Sequence, residues 1–353
     1  MKTKILFVMF SILILFCGCA IIENELDIEI PFLQTDENDP EATEDYSFET
    51  EPASATEAIT SPEENLEGNV RYYLEALASD IGSREPGSEG EHDAAQYIMS
   101  AFLEMGYQTR MQSFNVDDDE YFSSANVIAV KPGESDLVIV VGAHYDSAYE
   151  HGSLGADDNA SGVAVMLEAA RQIYEMETPY TIQFVAFGSE EYDLNGSSFF
   201  VGSLPDEDLE SITGMVNLDS LIAGDKVYIY GNEGPGSMRD WLLDESKRQG
   251  YRVEGKTDEE MLDEEGYYCE CSDNDAFEKA GIQYVYFEAT NWDLSPDAMI
   301  QVDPRYGDDG EIRHTEYDQV DYIDQFFPGR IDEHLNLFSD LLIALLTEYP
   351  IQP

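Results

Sequence analysis

Basic residues are what this chain has least of. Its 353 residues carry 17 Lys+Arg against 75 Asp+Glu, a formal net charge of −58 at pH 7. A field of that sign repels phosphate backbones and anionic headgroups, which argues against nucleic acid and against a membrane surface held by charge. The acidity is not confined to a tail, because residues 71–353 still hold 15 Lys+Arg against 59 Asp+Glu. A solvated acidic surface suited to salt accounts for this better than an acidic recognition element. Cysteine is also scarce: of four, Cys17 and Cys19 fall in the N-terminal run. Cys269 and Cys271 stand one residue apart with no histidine nearby, which leaves free thiols or a strained local disulfide and argues against a structural zinc cluster. No internal repeat of solenoid period is visible. What remains, 43% hydrophobic and 12% aromatic residues, is the composition of a globular protein.

Lys2 and Lys4 precede an apolar run from Ile5 to Phe16 that is too short for an ordinary membrane span, and Cys17-Gly18-Cys19-Ala20 follows. This predicts an export signal over residues 1–19, with Cys19 as the lipidated first residue of a membrane-anchored, extracytoplasmic protein. Simple secretion and an uncleaved anchor are the alternatives. Residues 20–66 contain no Lys or Arg and are dominated by Asp, Glu, Ser, Thr and Pro from about Gln34. Such a segment buries too little apolar surface to offset its ordering entropy, and reads as an acidic, disordered tether.

From residue 67 the pattern changes. Val70, Tyr73, Leu74, Leu77 and Ala78 recur at helical spacing, as do Ala94, Ala95, Ile98, Phe102 and Met105. Short strands are predicted at Tyr107–Phe114, Ala125–Val130, Leu137–Gly142, Tyr180–Phe187, Ile212–Leu218, Val227–Tyr230 and Tyr284–Phe287. Helices are predicted from about Gly162 to Tyr174, from Asn195, and from about Pro328 to Leu346. Near-continuous apolar strands alternating with helices imply one α/β domain over 67–353, with a mixed, mostly parallel sheet covered on both faces.

Ligands of open α/β sheets bind beyond the carboxyl ends of strands. At those ends stand His144 in GAHYDS, Glu190 and Glu191 in GSEEYD, and Asp219 in NLDS, while Asp158 sits in the Gly-bounded loop GADDNASG and His314 in RHTEYD. Two imidazoles and three carboxylates suit zinc, and five ligands are too many for one tetrahedral ion. They fit two ions sharing a carboxylate, an arrangement that performs hydrolysis.

The motifs HYDS, GADDNASG, GSEE and NLDS, with the early SREPGS loop, resemble the co-catalytic dizinc aminopeptidases of the bacterial leucyl aminopeptidase and aminopeptidase Y type across 67–353. The resemblance implies a zinc-peptidase-like fold and two Zn2+ ions per chain. Asp158 would bridge them, with His144 and Asp219 completing one site and Glu191 and His314 the other. Glu190 would be the general base on a metal-bridging water whose pKa falls toward roughly 7. Asp146 would orient the His144 imidazole from behind. The implied substrates are peptides with free N-termini. The chain departs from the family at Ser272-Asp273-Asn274, where a histidine is common in the third place, and the oxyanion helper falls among Tyr267, Tyr268 and Tyr317.

Other readings of the same residues stay open. A glutaminyl cyclase works on this fold with one zinc, a dizinc carboxypeptidase or dipeptidase belongs to the wider superfamily, and a non-catalytic lipoprotein could bind peptides on a retained scaffold. His92 and His334 read as surface residues and His151 as a loop residue. Asp157 and Asn159 read as turn formers holding Asp158. Oligomeric state is not legible.

Overall fold

The computed structural model of the chain describes residues 70–117, 121–148, 152–256, 272–295 and 299–351. The signal, the tether, Cys19, Cys269, Cys271, Tyr267, Tyr268 and His151 lie outside the described residues.

Helix α1 (Val70–Glu75) continues as a wider turn through Ala76–Ile81, and α2 (Glu89–Glu104) follows the SREPGS loop. Strands β1 (Gln108–Asp117), β2 (Tyr121–Lys131) and β3 (Ser135–His144) come next, then α3 (Ser161–Ile173), β4 (Tyr180–Phe187), α4 (Asn195–Gly202), α5 (Asp206–Ser211) and β5 (Ile212–Leu218). The chain continues through β6 (Lys226–Gly231), α6 (Met238–Gln249), β7 (Glu254–Lys256), α7 (Asn274–Lys279), β8 (Tyr284–Thr290), α8 (Val320–Phe326) and α9 (Arg330–Glu348).

The eight strands form one sheet in the order β1-β2-β4-β3-β5-β8-β6-β7. The centre, β4-β3-β5-β8, is parallel; β1, β2 and β6 join antiparallel, and β7 pairs parallel to β6 at the far edge. Alternation along the strands divides the core between two faces. Ile139, Val141 and Ala143 of β3 point into a large cluster with α1, α2, α3, α6 and α9, whereas Val138 and Val140 point into a smaller one with Phe200 of α4 and Phe277 of α7. The mixed α/β sheet covered on both faces is therefore what the apolar strands specify.

This order places the site. From β3 the chain crosses to β4 on one side, then returns to β5 on the other, so β3 is the strand at which the winding reverses. In register, His144 lies opposite Phe187 and Gly142 opposite Asn217, so the three carboxyl ends open at one edge.

Candidate metal centre

Four of the six residues come directly off those strand ends. His144 ends β3, Glu190 and Glu191 follow β4, and Asp219 follows β5. Asp158 comes from the loop before α3, whose two glycines have separate reasons. Gly155 adopts φ +58, and a Cβ there would meet the Arg84 guanidinium; a Cβ on Gly162 would sit 2.3 Å from the Leu218 carbonyl oxygen, where α3 abuts β5. The Asp158–Asn159 peptide bond is cis.

The residues named from the sequence converge. His144 Nε2 lies 3.0 Å from Asp158 Oδ1 and 3.6 Å from Asp219 Oδ1. His314 Nε2 lies 3.0 Å from the other oxygen of the same carboxylate, Asp158 Oδ2, and 3.3 Å from Glu191 Oε2. A tetrahedral zinc ion with donors at roughly 2.0–2.1 Å holds neighbouring donor atoms about 3.3 Å apart. The observed separations of 3.0–3.6 Å match that spacing on both sides of Asp158. Glu191 Oε1 is buried with no hydrogen-bond partner among the described residues, a donor left available for an ion. The residues present therefore fit zinc by donor type, spacing and an orphaned carboxylate oxygen. His144, Asp158 and Glu191 form one set of mutually close ligand atoms, and His144, Glu190 and Asp219 another. Glu190 thus belongs to the same cluster as the carboxylates assigned as ligands.

Burial sets the electrostatics. The His144 side chain is 2% exposed and that of His314 45%. Burial alone would lower both imidazoles, but the facing carboxylates prevail: Asp158 and Glu191 push His314 up to about 11, and Glu190, Asp146, Asp158 and Asp219 hold His144 well above its ordinary value. Asp158, despite burial, is held well below the carboxylate range by the two imidazoles. Glu190 moves the other way. Burial raises it well above the usual value, Asp273, Glu191 and Asp219 add repulsion, and His144 only partly offsets them. Two carboxylates with opposite shifts in one site is the environment in which one holds charge and the other carries a proton.

Around these residues stands a shell that the motifs only partly announced. Asp146 lies 3.6 Å from His144 Nδ1, beyond hydrogen-bond distance; its oxygens instead accept the backbone N–H groups of Glu190 and Glu191, each at 3.0 Å. Asp146 thereby ties the end of β3 to the loop after β4. Asp219 Oδ2 accepts from Ser272 Oγ and Tyr286 Oη, both at 2.8 Å, which turns Oδ1 toward His144. Ser272 in turn accepts from Asn217 Nδ2 at 2.9 Å, so the departing Ser272-Asp273-Asn274 segment packs directly behind Asp219. Asp157 and Asn159 do more than shape a turn. Asp157 Oδ1 accepts from Ile222 and Ala223 N–H, and Asn159 Nδ2 donates to the Leu218 carbonyl, fastening the loop to the chain leaving β5.

Three residues were missed. Asp318 closes the RHTEYD run, and its oxygens accept the backbone N–H groups of Asp157 (2.6 Å) and Asp158 (3.2 Å). Arg84, in the SREPGS loop, is fully buried and donates to the carbonyls of Leu77, Gly82, Tyr145, Leu154 and Gly155. Burial lowers it to about 10 against the pull of Asp318, Asp146, Asp158 and Glu191. Gln301 lies in no motif. A polar residue amid loop chemistry was the only signal for any of them. His334 is not a surface residue: it is 8% exposed within α9, and burial lowers it to about 4. Its place on the apolar stripe of α9, one residue before Leu335, explains the difference.

Residues 126–338 match the model of peptidase family M28. The chain belongs to that family. This M28 chain is 28% identical over 302 residues to the alkaline phosphatase isozyme conversion protein of Escherichia coli, covering 77% of this chain and 87% of the relative. It is 31% identical over 234 residues to aminopeptidase YwaD of Bacillus subtilis, covering 64% of this chain but 45% of that relative. Its fold is shared with BSAP, a zinc aminopeptidase from Bacillus subtilis, at TM-score 0.62 and 17% identity over 80% of this chain and 96% of the other. It is also shared with Porphyromonas gingivalis glutaminyl cyclase, at TM-score 0.60 and 19% identity over 78% and 96%. Membership bears out the metallopeptidase class read from the motifs. Both chemistries occur on one fold, so the site has to choose between them.

Proposed function

We propose that the chain is a dizinc aminopeptidase that removes N-terminal residues from peptides outside the cytoplasm. The observation that carries this reading is the Asp158 carboxylate, with one oxygen 3.0 Å from each of two imidazoles. Donors on both sides of one carboxylate support two ions sharing it. His144 and Asp219 would hold one ion and Glu191 and His314 the other, with Asp158 between. When bound, the pair supplies a water acidic enough to be a nucleophile near neutral pH and a Lewis acid for the scissile carbonyl.

The protein's own groups do the rest. Glu190, raised by burial and by neighbouring carboxylates, takes the proton of the attacking water on its carboxylate and hands it to the leaving amine. Asp146 fixes that carboxylate's backbone by accepting the Glu190 N–H. Asp219 is held at one oxygen by Ser272 and Tyr286, so its charge is aimed. The acidic site attracts a substrate's free α-ammonium group, in keeping with YwaD and BSAP, both named as aminopeptidases. Among the helper tyrosines, Tyr317 is the one in the described residues, three positions after His314. Export, lipidation at Cys19 and a tether over 20–66 complete the proposal, on the sequence of those segments.

The test compares cleavage of aminoacyl reporter amides with free and acetylated N-termini, beside ammonia release from N-terminal Gln peptides, using the full-length chain loaded with zinc. Cleavage of free N-termini alone is expected, and Glu190→Gln should lower kcat by about 10²–10⁴-fold while retaining its zinc. Cleavage indifferent to acetylation, or cyclisation of Gln without cleavage, would overturn the proposal.

A further inference from the structure

Gln301 sits between β8 and α8, outside every motif, and is fully buried. Its Nε2 donates to Asp157 Oδ2 at 2.6 Å. Its Oε1 accepts from the backbone N–H groups of Ile312 at 3.2 Å and Arg313 at 2.8 Å. One amide thus spans from the residue before Asp158 to the residue before His314. Its orientation is fixed by its partners, since a carboxylate oxygen only accepts and a backbone N–H only donates. The main chain of Gln301 is held as well, donating to Gly310 at 3.0 Å and accepting from Asp225 at 2.9 Å.

His314 needs such a support. It comes from a segment with neither helix nor strand around it, adopts φ +60, and leaves 45% of its side chain exposed. Nothing in the sheet sets its distance from Asp158. On the other flank, Arg313 Nη1 pairs with buried Glu288 of β8 at 3.1 Å, which anchors the turn to the sheet rather than to the Asp158 loop. Asp318 ties the far side of the turn to the same loop by accepting the Asp157 and Asp158 N–H groups, whereas Gln301 holds the side before His314. Asp157 cannot provide that link alone, because its other oxygen is committed to Ile222 and Ala223.

We propose that Gln301 is a positioning residue that fixes the His314 turn to the Asp158 loop, and so sets the affinity of the His314–Glu191 metal position without touching either ion. This rests on the two-ion reading. Buried groups behind metal ligands commonly govern affinity by about 10- to 100-fold, and an amide serving two turns at once is such a group.

The donor–acceptor pattern supplies a test by exchange. In Gln301→Glu two carboxylates face each other across the 2.6 Å contact. In Asp157→Asn the remaining side-chain oxygen must still serve Ile222 and Ala223, so two NH₂ groups face each other. In the double variant, the new amide at position 157 donates to one oxygen of the new carboxylate at position 301, while the other oxygen accepts from Ile312 and Arg313. The bonds to position 157, Ile312 and Arg313 are then restored with the net charge unchanged, and only the long 3.5 Å contact to the Ala289 carbonyl is lost. Zinc titration of the four full-length proteins, with thermal melting of each metal-free chain, reads the outcome; Gln301→Ala serves if Gln301→Glu does not fold. Expected are two ions in the wild type, a roughly 10- to 100-fold weaker second ion in each single variant with the first ion retained, and recovery in the double variant. A merely structural role would weaken both ions alongside the melting temperature. That result, single variants that bind the second ion as the wild type does, or a double variant no better than its parents would overturn the inference. A wild type that binds one ion would instead overturn the two-ion reading itself, and this inference with it.

Discussion

The two imidazoles of the site are placed by different means. His144 ends a central parallel strand, with its side chain 2% exposed and Asp146, Asp158 and Asp219 within 3.6 Å. Its position follows from sheet register, which also places Asp219 directly after β5, while Asp146 holds Glu191 in the loop after β4. His314 lies in an irregular turn, 45% exposed, facing Asp158 and Glu191. A row of buried polar groups does for it what register does for His144: Gln301, the Arg313–Glu288 pair, and Thr315, whose hydroxyl donates to the Ile312 carbonyl at 2.6 Å. A ligand on a strand is supported by the core; a ligand on a loop needs its own hydrogen-bond network, and such a network holds only when each member is satisfied.

Removing each imidazole in turn from the metal-free chain at pH 7 should separate the two modes of support most widely. His144→Ala leaves Asp219 buried without its imidazole and Asp158 with His314 alone, and should cost about 3–5 kcal/mol. His314→Ala, at a half-exposed position, leaves Asp158 with His144 but Glu191 without its imidazole, and should cost less, about 1–3 kcal/mol. Urea unfolding of both variants reads the difference, and equal losses would mean that the two halves are supported alike.

A smaller effect sharpens the His144 half. Asp273 is fully buried, and burial pushes its carboxyl up to about 7, with His144 and Ser197 acting against that and Asp146 and Asp219 adding to it. A carboxyl raised on folding contributes fully below its unfolded pKa near 4, and its contribution is lost as pH rises through about 7. Asp273→Asn should therefore match the wild type in stability near pH 4 and exceed it increasingly up to pH 7, by on the order of 1–4 kcal/mol above that. A gain independent of pH would show that the carboxyl is not charged at a cost. The smallest effect concerns the surface. With a net charge of −58, the metal-free chain should melt higher as salt screens self-repulsion, and by similar increments in His144→Ala and wild type, since the His144 half is closed to solvent.

The same division explains what the sequence disclosed. Tyr180–Phe187 and Ile212–Leu218 were legible to the residue, because continuous apolar runs bounded by breakers leave little choice. Helix α6 was not legible: MRDWLLDESKRQ buries few apolar residues, and its ends are set by the Ser237 cap and Gly250. Strand β7, three residues long, pairs at an edge and has no periodicity to detect. Within the site, His144, Glu191 and Asp219 could be found from their strands and Asp158 from its glycines. His314, in an irregular segment, had no such local signal, and Asp318, Arg84 and Gln301 went unassigned. Each of these three acts on backbone N–H or carbonyl groups brought together by tertiary folding, and a linear pattern does not encode that.

In the proposed function Asp158 would be shared by two ions. Zinc-edge anomalous diffraction from crystals of the full-length chain grown with zinc would locate the ions. Two peaks are expected, one on each oxygen of Asp158, the first beside His144 and Asp219 and the second beside His314 and Glu191. A single peak, or a second one away from Asp158, would rule out a shared carboxylate.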